Sequence, residues 1–426
     1  MNTSLSSRAQ RLALSGVLLF VVACGGNDTS VLLPVDDGEG STPPPGDGSE
    51  PDGMAPASDP LYAVLTRVSA GPDAVSGILH LVPSLDVAEE VATASGYELP
   101  GGGTLAAVRG ERAVLFMSYD QPTVTRYEVT PDGALEEGPT LSAASTGAQS
   151  LTFVAQPSPE LVWLEAYPTL ALVPLNPVTM ELGEPLELPV LREGYPDSYL
   201  GAGVVRDGTL FVPVYHTDFT EGSALPGTEI VVVDAEGSNV DVVRDERCDW
   251  GAAQLVGGDI VIGATNTFGA GAYLMGSPGF KAPCLLRIPA GSTTFDPTWT
   301  KPFSDWTAPS TAADIVIVAD DRAYVRVYDP ALAPADPLYY WDYSYIDAWR
   351  WAVVDPGSSE PMSVLDDAPA FGRVDRFIVQ GTTWTFQYSG EGLGGLSRLA
   401  RLDASGFSPG LSVHGFIDGV VAVGAP

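Results

Sequence analysis

The chain has 426 residues and a formal net charge of −34, from 20 Lys and Arg against 54 Asp and Glu. Lysine occurs only at positions 281 and 301, which argues against nucleic acid as a partner, because duplex binding rests on cations neutralising phosphates. The same balance argues against a polybasic hold on anionic lipid. Hydrophobic residues make up 45%, enough for a full-sized core, so the chain as a whole is not disordered. With 47 Gly and 37 Pro, the composition favours many short strands joined by turns.

Residues 1–23 read as a signal peptide. Arg8 and Arg11 precede an apolar run over 12–23, which is shorter than the ~20 residues a membrane span needs. Val21-Val22-Ala23-Cys24 places small residues before a cysteine and resembles the bacterial lipobox. By that resemblance Cys24 is diacylated, becomes the first residue after cleavage and is then N-acylated, and two or more chains anchor firmly where one does not. Gly25, and not Asp, follows the cysteine, which by the same resemblance implies the outer membrane. Residues 24–60 follow as lipidated cysteine and tether. From 25 to 60 there are eight acids, no base and Pro43-Pro44-Pro45, a composition that cannot bury enough apolar area to order itself.

From 61 to 426 one feature recurs seven times: a strand of β-branched residues or Leu, often ending in Asp or Asn. Its instances end at Val82, Val129, Leu175, Val233, Ile288, Val354 and Leu402. The intervals are 47, 46, 58, 55, 66 and 48, a period near 47 with excesses of about 11, 8 and 19. Four-stranded propeller blades with three insertions give that pattern. Two apolar runs around a tight turn precede the recurring strand, as at Val205-Arg206-Asp207-Gly208 and Leu255-Val256-Gly257-Gly258. Each unit therefore reads as strands A to D. The body starts on a strand B at 61–68, and the last residues hold one strand too many, Phe416–Val423. Pairing that strand into the first blade closes the ring and removes the open edge. The predicted fold is an all-β, seven-bladed β-propeller.

Chemistry is sparse along the body. There is no dinucleotide loop opening a helix, no phosphate loop and no His-Glu-x-x-His. His80 reads as a satisfied structural residue within a strand C, His414 as a surface residue, and His216 as part of an insertion. The inner strands placed at 201–205, 251–255 and 311–315 carry Asp314 as their one acid, so no axial metal, no cofactor and no enzymatic activity are expected. Cys248 and Cys284, the cysteines left after Cys24, are expected to form a disulfide in an exported protein.

The three insertions, 216–227, 266–282 and 330–348, all fall between strands B and C of the fourth, fifth and sixth blades. Such connections emerge on one face, together with the crossovers from strand D to the next strand A. Rigid scaffolds carry binding on loops of this kind. The insertions are rich in rings: Tyr215 and His216 lead into the first; Phe268, Tyr273, Phe280 and Lys281 lie in the second. Tyr339, Tyr340, Trp341, Tyr343 and Tyr345 lie in the third, followed by Trp349-Arg350-Trp351. Trp250 is expected at a crossover on the same face. Aromatic rings with a few cations suit a planar, aromatic or anionic ligand. Trp341 and Tyr340 are the expected stacking anchors, Trp250 the floor, and Arg350 or Lys281 the charge partner.

Lipobox, acidic tether, seven blades and a Trp-rich strand before Val353-Val354-Asp355 together resemble the MxcI-like propeller lipoproteins encoded beside siderophore biosynthesis and siderophore receptors. The resemblance implies an outer-membrane-anchored protein that binds a ferric siderophore and assists its uptake near a TonB-dependent transporter. The alternative is a non-catalytic protein-interaction scaffold at the cell envelope.

Overall fold

The computed structural model describes residues 61–424, apart from 72–73, 191–193, 219–222, 235–236, 265, 334–342, 344–345, 366–375 and 390–392. The signal peptide, Cys24 and the tether lie outside the described residues. The remainder forms seven antiparallel sheets arranged as a β-propeller. Each recurring apolar run is the third strand of its blade, as in Thr228–Val233 of blade 4, Cys284–Ile288 of blade 5 and Trp349–Val354 of blade 6. All six residues of Thr228–Val233 are buried, because blades stack face to face and cover both sides of a central strand. Double burial produces a continuous apolar run where a half-exposed strand would alternate.

Seven apolar clusters hold the ring, each shared by two neighbouring blades. Between blades 2 and 3, for example, Leu115 and Met117 meet Leu151, Phe153, Val162 and Leu164. The A–B turns fall where expected: Asp207 and Gly208 adopt φ of 51° and 79°, and Gln380 and Gly381 adopt 50° and 75°.

Ring closure follows the expected route. Phe416–Val423 pairs with Leu61–Gly71 as the innermost strand of blade 1, with Leu61 opposite Val423 and Val64 opposite Val420. A second latch lies at the outer edge. The segment between the third and fourth strands of blade 1 crosses to blade 7, where Glu90–Val91 pairs in parallel with Gly406–His414. Leu411 N–H donates to the Leu85 carbonyl at 2.9 Å, and Ser412 N–H to that of Glu89 at 2.8 Å. His414 lies at the surface, as expected, half-buried with its Nε2 2.9 Å from Glu90 Oε1.

Two expectations are corrected. The inner strand of blade 4 begins earlier than residue 201: it is split into Asp197–Leu200 and Val204–Arg206, both paired to Thr209–Asp218. His80 is structural but not satisfied. It is 1% exposed, neither ring nitrogen has a partner among the described residues, and burial pushes it down to about 4, so it is held neutral. A Cβ at position 96 would stand 3.0 Å from its ring, so Gly96 is what lets the chain pass over it.

Candidate functional site

All three insertions emerge on one face of the ring, between the second and third strands of blades 4, 5 and 6. The second contains the helix Asn266–Leu274. Its small residues allow close packing: Ala270 is fully buried with Ala313, on the inner strand of blade 6, and with Trp349. Gly276, at φ 68°, ends the helix, its N–H donating to the Tyr273 carbonyl at 2.9 Å while Ser277 N–H reaches Ala272.

The crossover from blade 4 to blade 5 pins this face. Cys248 and Cys284 form the expected disulfide. Asp249, which the sequence reading passed over, is 4% exposed and accepts from two insertions at once. Its Oδ1 takes the Gly227 N–H at 2.6 Å, and its Oδ2 takes the Lys281 N–H at 2.5 Å. Burial raises its pKa against the pull of those two bonds.

Trp250 is not an open floor. It is 2% exposed, its indole N–H donates to the Leu225 carbonyl at 2.7 Å, and its ring meets Tyr199, Tyr215 and Phe280 at centroid distances of 6.5, 5.5 and 6.1 Å. Tyr215 is also buried, and its hydroxyl reaches the Gly251 carbonyl at 3.3 Å. These rings pack the loops together. Tyr343 plays a similar part in blade 6, where its ring lies 5.6 Å from Tyr328 and its carbonyl accepts from Trp349 Nε1 at 2.8 Å. Trp349 and Trp351 are both enclosed, and Arg350 between them is half-buried with its Nε 2.9 Å from Asp329 Oδ2. Asp329 therefore already neutralises the cation expected to meet an anionic ligand. Tyr339, Tyr340, Trp341 and Tyr345 lie outside the described residues.

What faces solvent is different. Tyr273 and Met275, at the end of the helix, are 38% and 45% exposed, Leu332 of the third insertion is 41% exposed, and Lys281 is exposed beside them in sequence.

His216 is in strand Thr209–Asp218 and not in the insertion. Strand register aligns it in a row across blade 4: Ser198 opposite His216, then Glu229 and Arg244 opposite one another on the outer strands. Ser198 Oγ lies 2.7 Å from His216 Nδ1, His216 Nε2 lies 3.3 Å from Glu229 Oε1, and Glu229 Oε2 lies 3.9 Å from Arg244. Ser198, His216 and Glu229 are each 3% exposed or less.

Blade 3 presents a second buried acid to the same layer. Glu165 accepts from the Leu200 N–H and the Thr152 hydroxyl, each at 2.8 Å, and burial pushes it up to about 7. Ser198, Glu165 and Glu229 escaped notice in the sequence because 18 and 13 residues separate the row's members, and only the register brings them together. Among the described residues, no cluster of three His, Cys, Asp or Glu side chains could hold a metal.

No family model matches the sequence, and no curated protein does. Solved structures share the fold. A hypothetical selenium-binding protein from Sulfolobus tokodaii aligns with a TM-score of 0.52 and 11% identity, over 87% of this chain and 95% of that one. A periplasmic gluconolactonase from Pseudomonas aeruginosa aligns at 0.51 and 12%, over 86% and 100%. A putative 6-phosphogluconolactonase from Bacteroides fragilis aligns at 0.51 and 10%, over 87% and 99%. At these identities the likeness establishes the seven-bladed propeller. It also corrects the expectation of no enzymatic activity, since the same fold occurs in proteins named as lactonases.

Proposed function

We propose that the chain is a small-molecule-binding propeller of the cell envelope, with its ligand on the insertion face of blades 4 to 6. One observation carries this reading. Four large hydrophobic side chains stand exposed among the described residues, and three of them, Tyr273, Met275 and Leu332, lie on two adjacent insertions of that face. Beneath them the loops are fixed by the disulfide, by both oxygens of Asp249 and by the Trp250 cluster. A pre-ordered apolar surface loses little entropy when a ligand docks, which is the condition for tight binding.

The exposed Tyr273 ring and the exposed Lys281 of the same insertion suit a planar anionic ligand, and a ferric siderophore is the ligand proposed on the resemblance described above. Cys24 as a lipid anchor at the outer membrane and a TonB-dependent transporter as recipient belong to the same proposal. The test is a thermal-shift and intrinsic-fluorescence titration of the full chain with ferric catecholate and ferric hydroxamate siderophores. A saturable shift that Tyr273→Ala weakens by about 1–3 kcal/mol supports the reading. Silence with every ferric siderophore removes the ligand assignment.

A further inference from the structure

The row Ser198–His216–Glu229 does something the aromatic face does not, and it stands whether or not that face takes a ligand. We propose that it is a hydrolytic site in which Ser198 is the nucleophile toward a small neutral ester or lactone.

The geometry supplies each part of the relay. Glu229 is an acceptor and takes the Nε2 proton of His216 at 3.3 Å, which leaves the Nδ1 lone pair facing the Ser198 hydroxyl at 2.7 Å. The only other oxygen within reach of that hydroxyl, the Tyr195 carbonyl, is at 3.4 Å, so the imidazole is its stronger partner among the described residues. Arg244, 3.9 Å from the far oxygen of Glu229, holds the carboxylate from the outer strand and is itself anchored to the Pro226 carbonyl at 2.6 Å. A hydroxyl, an imidazole and a carboxylate in this order form the arrangement that activates a serine.

The position fits as well. Ser198 is in the first half of the split inner strand of blade 4, next to the crossover that enters from the insertion face. Across the layer, on the inner strand of blade 3, Ser150 and Thr152 stand opposite Tyr167 and Glu165 and so share their side of the sheet. Ser150 is 2% exposed and its hydroxyl has no hydrogen-bond partner among the described residues, so the same side of that sheet carries an uncommitted donor.

Charge selects the substrate. Among the described residues the row's one cation, Arg244, is already engaged by Glu229 and by the Pro226 carbonyl. With that cation taken up and the Glu229 carboxylate beside His216, the row offers no charge partner to an anionic substrate and suits a neutral ester or lactone.

In the reaction Ser198 Oγ bonds to the carbonyl carbon and its proton passes to His216 Nδ1. The ester C–O bond then breaks, and the same proton goes to the departing alkoxide oxygen. Water attacks the acyl-serine, gives a proton to His216, and the Ser198–acyl bond breaks as that proton returns to Oγ. The net change is ester plus water to acid plus alcohol, with no other reactant.

The test uses the full chain with a fluorophosphonate probe, peptide mapping by mass spectrometry, and hydrolysis of p-nitrophenyl acetate and a neutral δ-lactone. The expected results are an adduct on Ser198, none in Ser198→Ala, and a labelling rate about 100-fold lower in His216→Gln. Glu229 is a positioning residue, so Glu229→Gln should lower kcat on the ester while leaving KM unchanged. Labelling of the unsubstituted chain decides the matter even where a variant fails to fold. No adduct, or an adduct only on another residue, overturns the proposal, as does unchanged labelling in a folded His216→Gln.

Discussion

Blade 3 shows two different sides to its neighbours. Toward blade 2 its second strand presents Val162, Leu164 and Ala166, which pack with Leu115, Met117 and Val124. The charged member of that layer is Arg126, set at the edge away from the insertion face and paired with Glu111, Glu128 and the Pro177 carbonyl. Toward blade 4 the same strand presents Trp163, Glu165 and Tyr167, and Glu165 accepts from the Leu200 N–H of the strand that carries Ser198, whose row continues to His216 and Glu229. An apolar layer shows what the ring needs to close. Even when every group is paired, two buried carboxyl groups and an imidazole rarely stabilise more than apolar packing of the same volume, so their presence in one layer and absence, among the described residues, from the equivalent end of the other points to chemistry.

The largest expected effect bears on both layers at once. Deleting residues 416–426 removes the inner strand of blade 1 and opens the ring. Loss of cooperative unfolding by calorimetry is expected; a parent-like melt would show that the outer latch at Glu90–Val91 closes the ring alone. Next comes Leu164→Ala in the dry layer, expected to cost about 2–5 kcal/mol in denaturant titration with labelling of Ser198 unchanged. If that substitution abolished labelling as well, the two layers would not be separable.

Acidity offers a third way to divide them. Glu165 is raised from an ordinary 4.5 to about 7 by burial, so the folded state binds its proton more tightly than the unfolded state. Stability from this group is complete below pH 4.5 and declines as pH rises to 7, by on the order of 3 kcal/mol. Glu165→Gln should flatten that slope between pH 5 and 8, and an unaltered slope would mean the carboxyl is charged at neutral pH. His80, in the layer between blades 7 and 1, has the opposite sign. Lowered from 6.5 to about 4, it withdraws stability as pH falls through that window, and His80→Leu should remove the acid-side loss.

The smallest expected effect is at the surface. Tyr273→Ala should leave the melting temperature within about 1 °C, since an exposed loop ring contributes little to the core. A clear drop would place Tyr273 among the packed rings beside Trp250.

Much of the ring was legible from sequence because burial on both faces writes an unbroken apolar run, as in Val231-Val232-Val233 and Phe416–Val423. The disulfide was legible because two cysteines remained. The outer latch was not, since Glu90–Val91 is a two-residue strand in a connection with no apolar pattern of its own. The aromatic insertions were found, but composition does not tell an enclosed ring such as Trp250 from an open one such as Tyr273. The polar row was invisible because its members lie on four strands, and one of those strands starts at Asp197, ahead of the apolar residues used to place it.

One measurement tests most directly the claim that the polar end of the layer between blades 3 and 4 serves chemistry. Ser198→Ala, His216→Leu, Glu229→Leu and Arg244→Met are combined in the full chain, so that no partner is left unpaired, and both urea stability at pH 7 and fluorophosphonate labelling are read. Replacing a buried charged row by apolar groups of similar volume is often neutral or stabilising. The account predicts a urea midpoint no lower than the parent's with labelling abolished. A loss of more than about 3 kcal/mol would contradict it and assign the row to holding the blade together.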